Sequence, residues 1–144
     1  MLGRTVLDTD VLVAAVRSDR GASRVLLAAA LERRYLVMAS VPLMLEYEAV
    51  LTRPEHLAAA QISAADVDTL LDAIALVAEP IRISYLWRPV LPDPGDDLVL
   101  ETAVNGRAQV VITFNRRDFE PAAARFGLEI VAPADAVRRL ENRS

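Results

Sequence analysis

The chain has no cysteine among its 144 residues, which removes disulfide frameworks, thiolate metal sites and a cysteine nucleophile, and is compatible with a reducing cytoplasm. Lysine is missing as well. All 16 basic residues are arginine, so every mechanism that needs a lysine amine is excluded. One histidine, His56, leaves too little nitrogen for an ordinary zinc site. No uncharged stretch approaches the ~20 apolar residues of a membrane span. The N-terminus lacks the basic-then-apolar layout of a secretory signal, so a cytoplasmic protein without membrane contact is expected. Nor is there an excess of positive charge. At a formal net charge of −4, no global field draws the molecule to nucleic acid, and such a partner must be held by a local basic patch or through metal ions.

What is present is ordinary for a globular chain: 53% hydrophobic and 25% charged residues, which suggests neither disorder nor a fibrous repeat. The length fits a single domain over residues 1–144, burying roughly 70% of the surface its unfolded form would expose.

A short apolar run at 4–7 ends at Asp8-Thr9-Asp10 and is followed by apolar residues 11–16, which reads as strand, polar corner, helix. Helix composition follows at 24–33, and a strand candidate at 35–39. Ser40 is placed to cap a helix with Pro42 in its first turn, running to about Thr52 and ended by Pro54. Ser63 caps a second long helix over 64–78, and 79–83 is a short strand. Three prolines and a glycine make 88–95 a loop, and the one best suited to function. Asp96 and Asp97 then open a helix to about Asn105 that Gly106 closes. Residues 108–113 form the best strand by β-branched content. A polar stretch at 115–118, a short helix from Pro121, a strand at 128–131 and a helix from Pro133 complete the chain.

Strands alternating with helices imply parallel pairing, and so an α/β three-layer sandwich around a central, mostly parallel sheet. Ligands in such sheets sit beyond the carboxyl ends of the strands, where Asp8, Asn115 and Asp118 fall. Four places carry candidate ligands: Asp8 with Asp10, Glu46 with Glu48, the trio Asp93, Asp96 and Asp97, and Asn115 with Asp118. An all-oxygen set suits Mg²⁺ or Mn²⁺. Two carboxylates about 4 Å apart repel by roughly 4 kcal/mol at an effective dielectric of 20, so a converged cluster requires a cation or raised pKa values. Each position also has a plain alternative. Asp8 and Asp96 are placed to cap helices, Asp118 to pair with Arg116 or Arg117, and His56 to sit on the surface after Pro54-Glu55. Periodicity does not choose between Glu46 and Glu48, because both have apolar neighbours.

Several segments resemble PIN domains. Val6-Leu7-Asp8-Thr9-Asp10 is similar to that family's first motif. Glu46 followed by Val50-Leu51-Thr52-Arg53-Pro54 is similar to the second, Asp93-Pro94-Gly95-Asp96-Asp97 to the third, and Val111-Ile112-Thr113-Phe114-Asn115-Arg116-Arg117-Asp118 to the fourth. The resemblance spans nearly the whole chain and is strongest to bacterial toxin-like (VapC-like) PIN ribonucleases of toxin–antitoxin systems. It implies Asp8, Glu46 and Asp96 as primary metal-binding and catalytic acids. Asp97 and Asp118 would support them as further ligands, with Thr9 and Thr113 as orienting hydroxyls and Asp10, Asp93 and Asn115 nearby. Two positions depart from the pattern: Asp10 stands where the family usually has Asn, and Asn115 where many members have Asp.

The implied activity is metal-dependent endoribonuclease cleavage, with Mg²⁺ or Mn²⁺ activating a water for in-line attack on an RNA phosphodiester and Arg116 and Arg117 positioning phosphates. A cognate antitoxin and a homodimer are the implied protein partners. The alternatives are a catalytically degenerate PIN domain that binds RNA or protein, and a haloacid-dehalogenase-type phosphatase, whose nucleophile motif Asp8-Thr9-Asp10 also resembles. The absence of lysine argues against the latter.

Overall fold

The computed structural model describes residues 2–18, 20–84 and 93–142. Most of the loop expected to be functional, residues 88–92, lies outside them. Among the described residues five strands are interspersed with eight helices: β1 (Thr5–Leu7), α1 (Thr9–Arg17), α2 (Ala22–Leu31), β2 (Met38–Ala39), α3 (Val41–Leu51), α4 (Pro54–Ala60), α5 (Ala64–Val77), β3 (Glu79–Pro80), α6 (Pro94–Asn105), β4 (Val110–Ile112), α7 (Arg116–Phe126), β5 (Glu129–Val131) and α8 (Pro133–Glu141).

Among the described residues all pairing is parallel, β1–β4–β5 on one side and β2–β3 on the other. A bridge between Thr5 and Val37, with the Thr5 amide donating to the Leu36 carbonyl at 3.0 Å, joins the two into the order β3–β2–β1–β4–β5. The layers follow from this order. Right-handed crossovers that run outward from β1 through β2 to β3 place α1 to α5 on one face, and those leading back to β4 and on to β5 place α6 and α7 on the other. The packing agrees: α2 meets α1, α5 and α8, while α6 lies on β1, β2 and β4 and against α7. The α/β sandwich expected from the alternation is the fold.

Local chemistry sets the element ends. Ser40 caps α3 by accepting from the Leu43 amide at 3.3 Å, and Ser63 with Asp66 forms a reciprocal capping box on α5. Gly127, at φ +67°, closes α7 in the left-handed region that glycine adopts without strain. Gly106, the cap of α6, stands where the chain packs closely: a β-carbon there would lie 2.9 Å from Ile81 Cδ1 and 3.0 Å from Met38 Cε.

The helix expected to about Thr52 ends there, at Leu51 with Thr52 as its cap. A helix that was not expected follows it, α4, with Pro54 as its first residue, where a missing N–H costs nothing. One expectation is corrected. Helix α7 begins at Arg116, five residues before Pro121, which stands inside it. There the fully buried Phe119 holds the segment on the core despite the backbone bond that the proline removes.

Among the described residues no helix is long and apolar enough to cross a membrane.

Candidate metal-binding cleft

Strand order makes the place of a site predictable. Crossovers leave β1 and β4 in opposite directions, so a crevice opens beyond their carboxyl ends. The register Leu7↔Ile112 sets the next residues, Asp8 and Thr113, side by side at that crevice. Asp8 is buried. One carboxylate oxygen, Oδ1, accepts from the Thr9 amide at 2.7 Å, capping α1, and the other, Oδ2, accepts from the fully buried Thr113 hydroxyl at 2.7 Å. Thr113 Oγ1 in turn accepts from the Asn115 amide at 2.9 Å, so the β4 end is braced to hold Asp8 in one orientation.

A cleft of about 330 Å³ lies over these strand ends, lined by Asp8, Thr9, Asp10, Val13, Glu46, Val50, Arg53, His56, Asp93, Gly95, Asp96 and Asn115. Four elements supply the carboxyl groups. Asp8 stands at the end of β1, Asp10 comes from the first turn of α1, Glu46 from α3, and Asp93 and Asp96 from the start of α6. Asp93 caps α6, its Oδ1 accepting from the Gly95 amide at 2.8 Å, so capping is not the role of Asp96. Gly95 permits a close approach, since a β-carbon there would lie 3.3 Å from both Glu46 Oε1 and Asp93 Oδ1.

Helix α3 separates its two glutamates. Tyr47, between them, is buried and donates its hydroxyl to the Leu7 carbonyl at 2.5 Å, which pins the helix to the end of β1. Glu46 then faces the acidic cleft. Glu48 faces a second, mainly apolar groove between α3 and α5, beside Val41, Leu45 and Leu71.

The electrostatics are those of like charges drawn together. Burial pushes the Asp8 carboxyl up, against the lowering effect of its bonds from Thr113 and Thr9. Asp10 is pushed up to about 7, by burial first and the Asp8 charge second. Asp96 also reaches about 7, by burial first and then by Asp8, Asp93, Asp118 and Asp97. The two carboxyl groups act on one another, and the Asp8 charge is the second cause of the rise at Asp10. Asp10 Oδ1 is buried without a partner, while Oδ2 accepts from the Asn115 side-chain amide at 3.1 Å and the Phe114 amide at 3.3 Å.

A hard divalent cation suits this donor set. Among the described residues no three acidic or imidazole groups are gathered into a ready cage. The fit is therefore to an ion such as Mg²⁺ that keeps several waters and takes one or two carboxylates directly.

The other expected residues are placed as follows. Asp97 is buried beside Asp96, outside the cleft lining, and adds to the field that raises the Asp96 pKa. Asp118 is exposed in the first turn of α7, forms no ion pair among the described residues, and acts on Asp96 through space. Thr9 borders the cleft and holds Asp8 through its backbone amide. Arg116 and Arg117 are exposed and do not line the cleft; Arg116 borders a separate depression with Glu129, Asp135 and Arg138. His56, expected on the surface, is half-buried in the cleft wall. Sequence reasoning also passed over Arg53. The signal was present, because Glu46, Val50 and Arg53 follow the i, i+4, i+7 spacing of one helical stripe.

Comparison with known proteins bears on the fold and the family. A search of curated proteins finds no match. The crystal structure of VapBC2 from Rickettsia felis bound to a DNA fragment from their promoter contains a similar chain, with a TM-score of 0.60 at 15% identity, covering 90% of this chain and 98% of that one. At that identity the likeness is one of fold. The family model for the PIN domain matches residues 4–117. That match takes in β1 through β4 and every carboxyl group lining the cleft, and the chain belongs to the PIN domain family.

Proposed function

We propose that this chain is a metal-dependent endoribonuclease, the toxin component of a toxin–antitoxin pair, which hydrolyses RNA phosphodiesters at the acidic cleft. The observation that carries the reading is the convergence of Asp8, Asp10, Glu46, Asp93 and Asp96 on one cleft at the strand ends, with burial and mutual repulsion raising the pKa values of Asp8, Asp10 and Asp96. Proteins gather such groups where a cation is to be bound. When bound, Mg²⁺ or Mn²⁺ supplies the positive charge missing from the carboxylate cluster and lowers the pKa of a water for attack on phosphorus.

In this reading Asp8, Glu46 and Asp96 would hold the ion, one or two of them directly and the rest through its waters. Thr113 and the Thr9 amide fix the Asp8 carboxylate so that both oxygens are oriented before anything binds. Asp97 and Asp118 add negative potential behind Asp96. The two departures from the family pattern support retained function, because they touch. The Asn115 side-chain amide donates to Asp10 Oδ2 at 3.1 Å, so the carboxylate missing from position 115 is regained at position 10.

A partner protein belongs to the same reading, since the similar solved structure is a VapBC2 assembly on promoter DNA. The competing reading is a PIN domain that binds RNA or protein without cutting. It draws on the absence, among the described residues, of a preassembled three-ligand group. Family membership leaves the phosphatase reading without support.

Incubation of the protein with mixed-sequence single-stranded RNA and Mg²⁺, Mn²⁺ or EDTA separates the two, beside an Asp8→Asn/Glu46→Gln double mutant of unchanged circular dichroism. Metal-dependent cutting lost in the double mutant is expected. Cutting no greater than that of the double mutant, together with no Mn²⁺ binding by calorimetry at millimolar concentration, would favour the binding domain.

A further inference from the structure

One part of the second motif is not used by the carboxylate cluster, the Arg53-Pro54 that closes it. Its neighbours have clear places: Leu51 is fully buried in the core, and Val50 lines the cleft one turn after Glu46. Helix α3 ends at Leu51, and Pro54 restarts the chain as α4 after only two residues. The corner is tied down by the Thr52 hydroxyl, which donates to the Glu48 carbonyl at 2.7 Å, and by the His56 amide, which donates to the Arg53 carbonyl at 3.0 Å. Arg53 and His56, on this corner, both line the cleft wall.

Arg53 is the sole arginine among the described residues lining the cleft, which five carboxyl groups also border. Among the described residues it forms no ion pair, and as the residue before α4 its side chain makes no capping bond. An exposed guanidinium beside so much negative charge and bonded to none of it remains available to a ligand. Phosphate is the group that its planar fork matches and that the neighbouring carboxylates alone would repel.

We propose that Arg53 is the phosphate-holding side chain of this cleft, the positive wall on which the backbone of a single-stranded RNA lies while the carboxylates face the bond to be cut. The assignment rests on the ribonuclease reading above. It gives the cleft a polarity, with the α3–α4 corner binding backbone and the β1, β4 and α6 ends performing chemistry.

The test is fluorescence anisotropy with a labelled single-stranded RNA of about a dozen mixed-sequence nucleotides, in the Asp8→Asn background with Mg²⁺, across a salt series. Arg53→Gln should weaken binding about tenfold and flatten the slope of log affinity against log salt by about 0.7, the value of one phosphate on a single strand. Arg53→Lys should keep the slope and lose only part of the affinity. In the active chain with Mn²⁺, Arg53→Gln should raise KM more than it lowers kcat, at an unchanged melting temperature.

If the parent binds or cuts RNA while Arg53→Gln keeps its affinity and slope, the assignment is overturned and the ribonuclease reading stands. Equal losses in Arg53→Gln and Arg53→Lys with a lowered melting temperature would also overturn it, in favour of a structural role. If the parent neither binds nor cuts RNA with either metal, the underlying reading fails and this one with it.

Discussion

Removing metal and raising pH should destabilise this protein over a range where most proteins are indifferent. Asp10 and Asp96 each have a folded-state pKa of about 7 against an ordinary value of 3.8. Between those values the folded chain keeps protons that the unfolded chain has released, so stability is full at the acid end and falls as pH rises through about 7. For one such carboxyl the loss between about pH 5 and pH 8 is about 3 kcal/mol. Counting both groups in full would count their shared repulsion from Asp8 twice, and the cleft is open to solvent, so a total of about 3 kcal/mol is the reasoned magnitude. In a chain of this length that corresponds to a drop in Tm of about 6–12 °C. Glu129, held low by Arg139, acts only below its ordinary value of 4.5 and does not enter the window. Thermal melts in EDTA across that range measure the drop directly. Saturating Mn²⁺ should erase most of it at the alkaline end, and Asp10→Asn should flatten it. A Tm that stays level or rises between pH 5 and pH 8 in EDTA, or an undiminished slope in Asp10→Asn, would refute the reasoning.

Other perturbations test separate parts of the site and scaffold. Thr113→Val keeps the shape of a buried side chain but removes the donor to Asp8 Oδ2, and should lower Mn²⁺ affinity by calorimetry about 10–100-fold with circular dichroism retained. Exchanging the paired residues should separate charge count from position. Asp10→Asn alone should weaken metal binding, and adding Asn115→Asp should restore most of it, whereas a double mutant no better than the single would show that the two positions are not interchangeable. Gly106→Ala forces a methyl group against Ile81 and Met38 and should cost about 1–3 kcal/mol in urea unfolding, with cutting per folded molecule unchanged.

The order of elements was legible because most ends carry their own chemistry. Ser40, Ser63, Gly106 and Pro133 mark boundaries that hold in the structure, and the apolar runs between them alternate in length as strands and helices do. The helix that Pro54 opens and the early start of the helix that holds Pro121 were hidden for one reason. A proline ends a helix, begins one or sits in its early turns according to what packs around it, and burial of Phe119 is not a local signal. Glu46 and Glu48 could not be separated because α3 is apolar on most sides. What separates them is the bond from Tyr47 to the end of β1, a contact across 40 residues. Capping was a real alternative for Asp8 and Asp96. Asp8 both caps and borders the cleft, while Asp93 takes the cap of α6. His56 and Arg53 reach the wall through a corner whose second helix was not expected, so their place was hidden with it.

The bond between Thr113 and Asp8 spans 105 residues of sequence, as does that between Asn115 and Asp10. Contacts this distant in the chain form late, after nearer ones have reduced the entropy of closing so long a loop. During synthesis the segment carrying Asp8, Asp10 and Glu46 emerges first, yet the β4 end that orients Asp8 and Asp10 is still to be made. A nascent chain stopped short of β4 therefore carries the acids without the geometry, and whatever the cleft does to its ligand begins only once residues 110–115 have been made.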